Sequence, residues 1–262
     1  MTLITSTQNQ QVKQIRALSH RKERERTGLF FLEGIRNVIE AIELGAGVEA
    51  LVAAPELLGG GPATALVSRH RDAGGRALEV TAEVFATLSW RDGPSGLGAV
   101  VRQRWDSLPR RVHRSDYWVA LYAVEKPGNL GAVLRTCDAA GGRGVMLIGP
   151  SVDPYHPTAV QASMGAIFTQ QLIRAEAGEF LAWARRQGCA VVGTSLATDR
   201  DHRAVTYRPP LVLLMGAEHG GLPAGLLEHC DDLARIPMVG RVDSLNLAVA
   251  TGVLLYEVMR DA

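Results

Sequence analysis

The sequence has few cysteines and no long apolar run, and each absence excludes a class of protein. Cys137, Cys189 and Cys230 are far apart and form no CxxC pair. A disulfide framework and a zinc site are therefore disfavoured, and buried thiols are expected. No apolar stretch approaches the ~20 residues that span a bilayer. The N-terminal residues MTLITSTQNQQVKQIRAL also lack the basic-then-apolar pattern of a signal peptide. We expect a cytoplasmic protein without membrane contact.

The common nucleotide-binding and hydrolase motifs are also missing. There is no GxGxxG, because the glycines of PGNLGAV have the wrong spacing, and no GxxxxGK[ST], HExxH or GxSxG. A Rossmann dehydrogenase and a P-loop enzyme are therefore disfavoured. No cluster of metal ligands is present either, and we expect no metal.

What the sequence does contain is typical of a globular α/β protein. Its 262 residues are 47% hydrophobic and 21% charged, which suits one large domain or two ordinary ones. Strand-like and helix-like segments alternate up to residue 104, and the polar, proline-containing stretch 105–116 (WDSLPRRVHRSD) interrupts them. We predict a domain at 1–104, a linker at 105–116 and a domain at 117–262.

The second predicted domain has strands that favour a parallel sheet. VALYAV and LVLLMG are apolar without a break, as expected for strands covered on both faces. The pattern also predicts a strand at IFTQQLI (167–173) and another at the start of IPMVGRVDSLNLAVATG (236–252).

The small net charge of +1 conceals two basic stretches. Residues 13–26 hold six Lys or Arg against two Glu, and residues 102–114 hold five Arg against one Asp. Such patches are typical of a face that meets a polyanion. A solvated surface is the alternative, and the excess of Arg over Lys also fits a bias in genomic composition. We take Arg21, Lys22 and Arg24 as candidate RNA contacts.

Three segments share an apolar strand that ends in a Gly-rich or polar turn before a helix. They are VEKPGNLGAVLRTCDAAG (124–141), LLMGAEHGGLP (213–223) and RIPMVGRVDSLNLAVATG (235–252). Ligands of parallel α/β sheets bind where strand carboxyl ends meet such turns, so a pocket lined by backbone is predicted. By themselves, the residues also allow helix caps at Asn129, Ser244 and Asn246, and core positions for Ile236 and Leu245.

These three segments resemble, in order and spacing, the motifs of the SpoU (TrmH-like) 2′-O-ribose RNA methyltransferases of the SPOUT superfamily. The resemblance covers about residues 117–262. The first ~100 residues, with LFFLEGIRNVIEAI, resemble the ribosomal-protein-like α/β substrate-binding domain that often precedes this catalytic domain. The resemblance implies a parallel sheet with a trefoil knot, S-adenosylmethionine as methyl donor, and a homodimer.

The resemblance also implies roles for individual residues. The catalytic group would be Arg135, Asn129, Glu218, Ser244 and Asn246. The cofactor would be bound by Gly216, Ile236, Leu245, Thr194 and Met238, in part through backbone groups. Lys126 would contact RNA phosphate, although a solvated lysine fits the sequence equally well.

The predicted function is methyl transfer from S-adenosylmethionine to a ribose 2′-hydroxyl of structured RNA, with ribosomal RNA favoured over tRNA. The pKa of an arginine exceeds about 12. For Arg135 we therefore favour binding of substrate phosphate and stabilisation of the developing 2′-alkoxide, and leave the proton acceptor open. The alternatives are a non-catalytic RNA-binding protein of the same fold and methylation of a base by another branch of the superfamily.

Overall fold

The computed structural model describes residues 3–261 and divides into two compact units. The first unit holds the chain up to Gln103 together with Tyr155–Gln161. The second unit holds Arg104–Pro154 and the chain from Ala162 onward. No helix in the described part of the chain is long and apolar enough to cross a membrane.

The first unit contains a mixed four-stranded sheet in the order β1-β4-β2-β3. β4 pairs antiparallel with β1 and β2, and β3 pairs parallel with β2. The basic stretch 13–26, for which the sequence predicts no element, lies in two short helices and the turn between them. The strands are β1 (Leu29–Glu33), β2 (Val48–Ala53), β3 (Ala77–Glu79) and β4 (Leu97–Arg102); the helices are α1 (Gln10–Ala17), α2 (Arg21–Thr27), α3 (Ile35–Glu43), α4 (Pro55–Leu58), α5 (Pro62–Asp72) and α6 (Ala82–Ala86).

The second unit contains a six-stranded parallel sheet in the order β10-β8-β9-β5-β6-β7. Every residue of β9 is buried, as a strand covered on both faces requires. The predicted α/β class and parallel sheet are confirmed. The strands are β5 (Tyr117–Tyr122), β6 (Gly144–Ile148), β7 (Gln171–Ala175), β8 (Ala190–Thr194), β9 (Leu211–Met215) and β10 (Asp232–Ala234); the helices are α7 (Pro127–Ala139), α9 (Ala166–Thr169), α10 (Ala177–Gln187), α11 (Ala224–Leu227) and α12 (Leu247–Asp261), with a 3₁₀ turn at His202–Ala204. The helix α8 (Pro157–Ser163) lies between α7 and α9 in the chain and belongs to the first unit up to Gln161.

The segment 105–116, expected to be a linker, packs along the second unit. Asp106 pairs with Ile173 of the edge strand β7, and its carboxylate accepts the N–H of Leu172 at 3.0 Å. The Pro109 carbonyl accepts the indole N–H of the buried Trp183 at 2.8 Å. The segment thereby covers an otherwise unpaired sheet edge and closes the apolar core on the α10 side.

Two predicted strands are misplaced along the chain. The stretch 166–169 forms the short helix α9, and β7 begins only at Gln171. In the last motif, β10 ends at Ala234, before the predicted strand at 236. Its partner β8 ends at Thr194, opposite Ala234. Residues 236–246 therefore have no strand beside them to supply ladder hydrogen bonds, and they form an irregular segment instead.

Candidate active site

The site lies at the carboxyl edge of the parallel sheet in the second unit. Because the strands are parallel, the turns after β5, β9 and β10 leave the sheet at the same edge. Each turn carries one of the three motifs found in the sequence. The site can therefore be built from the polar side chains of these turns.

Glu218, in the turn after β9, is hydrogen-bonded to the start of α7. Its carboxylate accepts Asn129 Nδ2 at 3.0 Å and the backbone N–H groups of Glu125 and Lys126 at 3.2 and 3.3 Å. A carboxylate at the amino end of a helix also interacts favourably with the helix dipole. Burial acts to raise the pKa of Glu218, but these hydrogen bonds outweigh it and lower the pKa below its ordinary value of 4.5. Glu218 is therefore an ionised anchor at neutral pH.

Asn246 extends this network from the amino end of α12. Its Nδ2 donates to Asn129 Oδ1 at 2.9 Å, and its Oδ1 accepts the N–H groups of Ala248 and Val249 at 2.9 and 3.4 Å. The expected cap at Asn246 is confirmed. The same side chain both caps a helix and joins two motifs.

Asn129 is the central member of the network and is not a helix cap. The residue preceding α7 is Lys126, so Asn129 lies within the first turn of the helix, where its side chain is buried. The sequence-based alternative of an N-cap at this position is wrong. The amide donates to Glu218 and accepts from Asn246, and these two bonds connect all three motif turns.

Gly216 is required by close approach of the backbone. A Cβ atom added there would lie 2.3 Å from the backbone carbon of Gly221 and 2.6 Å from the nitrogen of Leu222. The turn is closed by two hydrogen bonds of 3.1 Å between Ala217 and Gly221. Gly216 thus permits the tight turn that presents Glu218 to Asn129.

Arg135 and Ser244 lie outside this network. Arg135 is exposed on α7 and forms no hydrogen bond or ion pair within the described residues. Six residues of α-helix turn the chain by about 600°, so Arg135 points about 120° away from Asn129. Ser244 is exposed as well, and its hydroxyl donates to Asp243 Oδ1 at 3.1 Å. Both side chains are free to meet a substrate.

Three of the predicted cofactor-binding residues belong to the irregular segment 236–246. In the described chain, the backbone N–H groups of residues 236–245 donate no hydrogen bond to protein groups, which leaves them free to bind a ligand; Pro237 is excepted because it carries no N–H. Ile236 and Met238 are half-buried, whereas Leu245 is 38% exposed and is not a core residue. Thr194 ends β8, with its hydroxyl 3.5 Å from the carbonyl of Leu214. No group of His, Cys, Asp or Glu among the described residues could hold a metal ion.

One of the predicted RNA contacts needs correction. Arg24 is only 1% exposed, and its guanidinium Nη1 donates to the carbonyls of Leu18 and Ser19 at 2.8 Å each. It stabilises the turn between α1 and α2 and does not present its charge to a nucleic acid. Arg21 and Lys22 are exposed, although Arg21 is paired with Glu25 at 2.8 Å. Lys126 is exposed directly before α7.

The second unit carries a basic surface that the sequence shows only in part. The Arg110 carbonyl accepts Gln187 Nε2 at 3.1 Å, so the segment 105–116 lies beside the end of α10. All five arginines of these two segments are exposed and have no ion pair within the described chain. We name this set the α10 basic surface: Arg110, Arg111, Arg114, Arg185 and Arg186. About 70 residues separate its two parts, so no local pattern could join them.

A parallel sheet with free backbone amides and an amide–carboxylate network at its carboxyl edge is the arrangement found in α/β enzymes that bind a small molecule at that edge. Residues 116–256 match the model of the SpoU rRNA Methylase family, and residues 9–99 match that of the MRM3-like substrate binding domain. The chain belongs to the SpoU family.

Similar proteins match along nearly the whole chain. The crystal structure of an AdoMet-bound rRNA methyltransferase from Sinorhizobium meliloti is 41% identical and covers 99% of this chain and 97% of its own, with a TM-score of 0.91. AviRb from Streptomyces viridochromogenes, in complex with AdoMet, is 30% identical, with a TM-score of 0.84 and coverage of 97% and 98%. The 23S rRNA (guanosine(2553)-2′-O)-methyltransferase RlmP of Bacillus subtilis is 28% identical over 98% of both chains.

Proposed function

We propose that this protein transfers a methyl group from S-adenosylmethionine to a ribose 2′-hydroxyl of ribosomal RNA. The observation that carries the proposal is the hydrogen-bond chain Asn246–Asn129–Glu218, which joins the three motif turns beside a segment of unpaired backbone amides. Full-length relatives named as 23S rRNA 2′-O-methyltransferases support ribosomal RNA over tRNA.

The residues present suit this cofactor. Adenine and a methionine carboxylate need hydrogen-bond donors and acceptors, and the free backbone N–H groups of residues 236 and 238–245 supply donors without the need for a charged side chain. We assign cofactor binding to this segment, with the half-buried Ile236 and Met238, and to the Gly216 turn and Thr194. S-adenosylmethionine supplies a methyl group already activated on a sulfonium.

The protein side chains then have mainly to align and stabilise the ribose. Asn129 and Glu218 hold the start of α7, and Asn246 holds the start of α12, so the two helices present the substrate-facing residues in fixed positions. Arg135, exposed and without a partner in the described chain, binds the phosphate beside the target nucleotide and stabilises the developing 2′-alkoxide. Ser244 contacts the ribose.

We assign RNA docking to residues 1–104 and methyl transfer to residues 117–262. Arg21 and Lys22 contact RNA phosphate in the first domain, and Lys126 does so next to the site. The α10 basic surface adds five cations without carboxylate partners within the described residues. Such contacts position an RNA but do not read its sequence.

We also propose that the protein is a homodimer. Val249, Tyr256 and Met259 are spaced by seven and three residues on α12 and are 53%, 50% and 45% exposed. This spacing places them on one helix face, where a second copy would cover them. Light scattering tests the proposal: Tyr256→Glu should release monomers, and a monomeric wild-type protein would contradict it.

We propose in addition that the second domain contains a trefoil knot and that the protein is cytoplasmic. The chain leaves β10 at one edge of the sheet, and α12 then returns to pack on α7 and β9. This return path past the turns after β8 and β9 fits a knotted crossing. A protein that modifies ribosomal RNA would act in the cytoplasm.

Labelling with a tritiated methyl donor tests the function directly. Purified protein is incubated with ribosomal RNA or with tRNA, and the labelled atom is mapped. We expect a 2′-O-methyl group in 23S rRNA and none with Arg135→Ala, whose affinity for S-adenosylmethionine, measured by calorimetry, should be unchanged. A label in tRNA alone, or on a base, would contradict the substrate assignment. No cofactor binding at millimolar ligand would favour the non-catalytic alternative.

A further inference from the structure

Trp90 of the first unit presents its indole to solvent, with 52% of its surface exposed. A single exposed apolar residue is ordinary and carries no argument by itself. The segment that bears it, residues 89–96, is held near both of its ends by one half-buried carboxylate. We call this segment the Trp90 loop.

Glu33, the last residue of β1, orders the Trp90 loop. Ser89 Oγ donates to its two carboxylate oxygens at 3.0 and 2.9 Å, and the N–H groups of Trp90 and Ser95 donate at 3.3 and 3.0 Å. Hydrogen bonds to an ionised acceptor are about twice as strong as neutral ones. The Trp90 loop therefore loses its conformational entropy when the protein folds and not when a ligand binds. A ligand that binds there meets a rigid surface.

The surroundings of the indole are chemically mixed. Arg91 and the amide of Asn37, whose Nδ2 donates to the Glu33 carbonyl at 3.0 Å, line the same depression together with the apolar side chains of Phe31 and Val160. Arg91 is exposed and has no ion pair within the described residues, including with its neighbour Asp92. The site thus combines a flat aromatic face, a free cation and an amide.

A second ring extends the aromatic surface. The imidazole of His156, which also belongs to the first unit, has its centroid 6.4 Å from the Trp90 ring at an interplanar angle of 51°. The imidazole is itself held by the N–H of Thr158, 3.2 Å from Nδ1. Neither ring covers the other face to face, so the exposed indole face remains open.

These groups match the chemistry of an unpaired nucleotide. Proteins bind single-stranded RNA by stacking bases on aromatic side chains and by placing Arg on the backbone, and amides bond to base edges. An apolar protein partner would not require the free guanidinium beside the ring. We propose that Trp90 is a stacking platform for one unpaired base of the RNA substrate, with Arg91 on the adjoining phosphate. This inference rests on the proposed function and names a residue of the first unit that binds the RNA.

Removal of the indole tests the platform. Trp90→Ala should weaken binding of a 23S rRNA transcript by about 5- to 150-fold, the loss of one base–aromatic stack, and Trp90→Phe should restore most of it. The KM for RNA should rise with the binding loss while kcat and the affinity for S-adenosylmethionine stay unchanged. Leu44→Ala is the matched control, because it removes another exposed apolar side chain (48% exposed) of the same unit.

Salt dependence separates the stack from the phosphate contact. Trp90→Ala should leave the slope of log K against log salt unchanged, whereas Arg91→Ala should reduce it by about one. The inference is overturned if Trp90→Ala binds RNA with wild-type affinity, or if Leu44→Ala loses as much RNA affinity as Trp90→Ala. Neither result would contradict the proposed methyl-transfer function. If the wild-type protein binds S-adenosylmethionine but no ribosomal RNA, the proposed function and this inference both fail.

Discussion

The central amide of the site offers the sharpest test of its construction. Asn129→Ala removes one hydrogen bond to an ionised carboxylate and one between neutral amides. Such bonds contribute about 1.5–3 and 0.5–1.5 kcal/mol. Glu218 is partly solvated and keeps two backbone donors, so we expect the lower part of the sum, about 2–3 kcal/mol of unfolding free energy.

The loss should be visible in both stability and turnover. At about 2–4 °C per kcal/mol, the melting temperature falls by about 4–12 °C. Because Glu218 and Asn246 both lose a partner, we expect methyl transfer to slow on the order of 10- to 100-fold. Asn9→Ala is the control: it removes the cap of α1, where Asn9 Oδ1 accepts the N–H of Gln11 at 2.9 Å. That change should cost about 1 kcal/mol without slowing transfer.

A double-mutant cycle isolates the Asn129–Asn246 bond. Unfolding free energies of Asn129→Ala, Asn246→Ala and the double variant should show a coupling of about 0.5–1.5 kcal/mol. Additivity within about 0.3 kcal/mol would refute the network as a physical unit.

The pKa of Glu218 is depressed in the folded protein. The contribution of its carboxylate to the free energy of unfolding should therefore be complete above about pH 4.5 and lost as the pH falls through the lower folded-state value.

Three further predictions concern other parts of the second unit. Gly216→Ala should abolish cofactor binding measured by calorimetry, because the added Cβ would lie 2.3 Å from the backbone of Gly221. Gly220→Ala is the control and should bind the cofactor normally, because a Cβ at that position meets nothing within 4 Å. Equal binding by both variants would contradict a requirement for close backbone approach at Gly216. Arg135→Ala should keep the wild-type melting temperature within about 2 °C, since an exposed helical residue is replaced by a good helix former, yet lose methyl transfer. Burial raises the pKa of the Cys137 thiol to about 12. This thiol should therefore not react with a thiol reagent at pH 8 until the protein unfolds. Rapid reaction of Cys137 in the native protein would refute the burial of its side chain. Because this pKa is raised, the stability from the neutral thiol is complete below about pH 9 and lost as the pH rises towards 12.

Local patterns were sufficient for most of the secondary structure and failed where a segment depends on its neighbours. The apolar strands β5 and β9 were recognisable because burial on both faces leaves a continuous apolar run. The stretch 236–239 (IPMV) is also apolar, but it contains Pro237 and has no adjacent strand, because β8 ends opposite Ala234. Arg24 shows the same limit for charge: its position in a basic run predicts exposure, yet the turn between two helices encloses its guanidinium.

The sequence by itself determined the α/β class, the family motifs and the residue types available at the site, because these depend on spacing along the chain. Only the tertiary structure decided how those residues are used. Asn129 and Asn246 are 117 residues apart and meet at 2.9 Å because the sheet order brings their turns to one edge. The Trp90 loop and the α10 basic surface arise in the same way, since partners such as Glu33 and Ser89 are joined by folding and leave no local trace in the sequence.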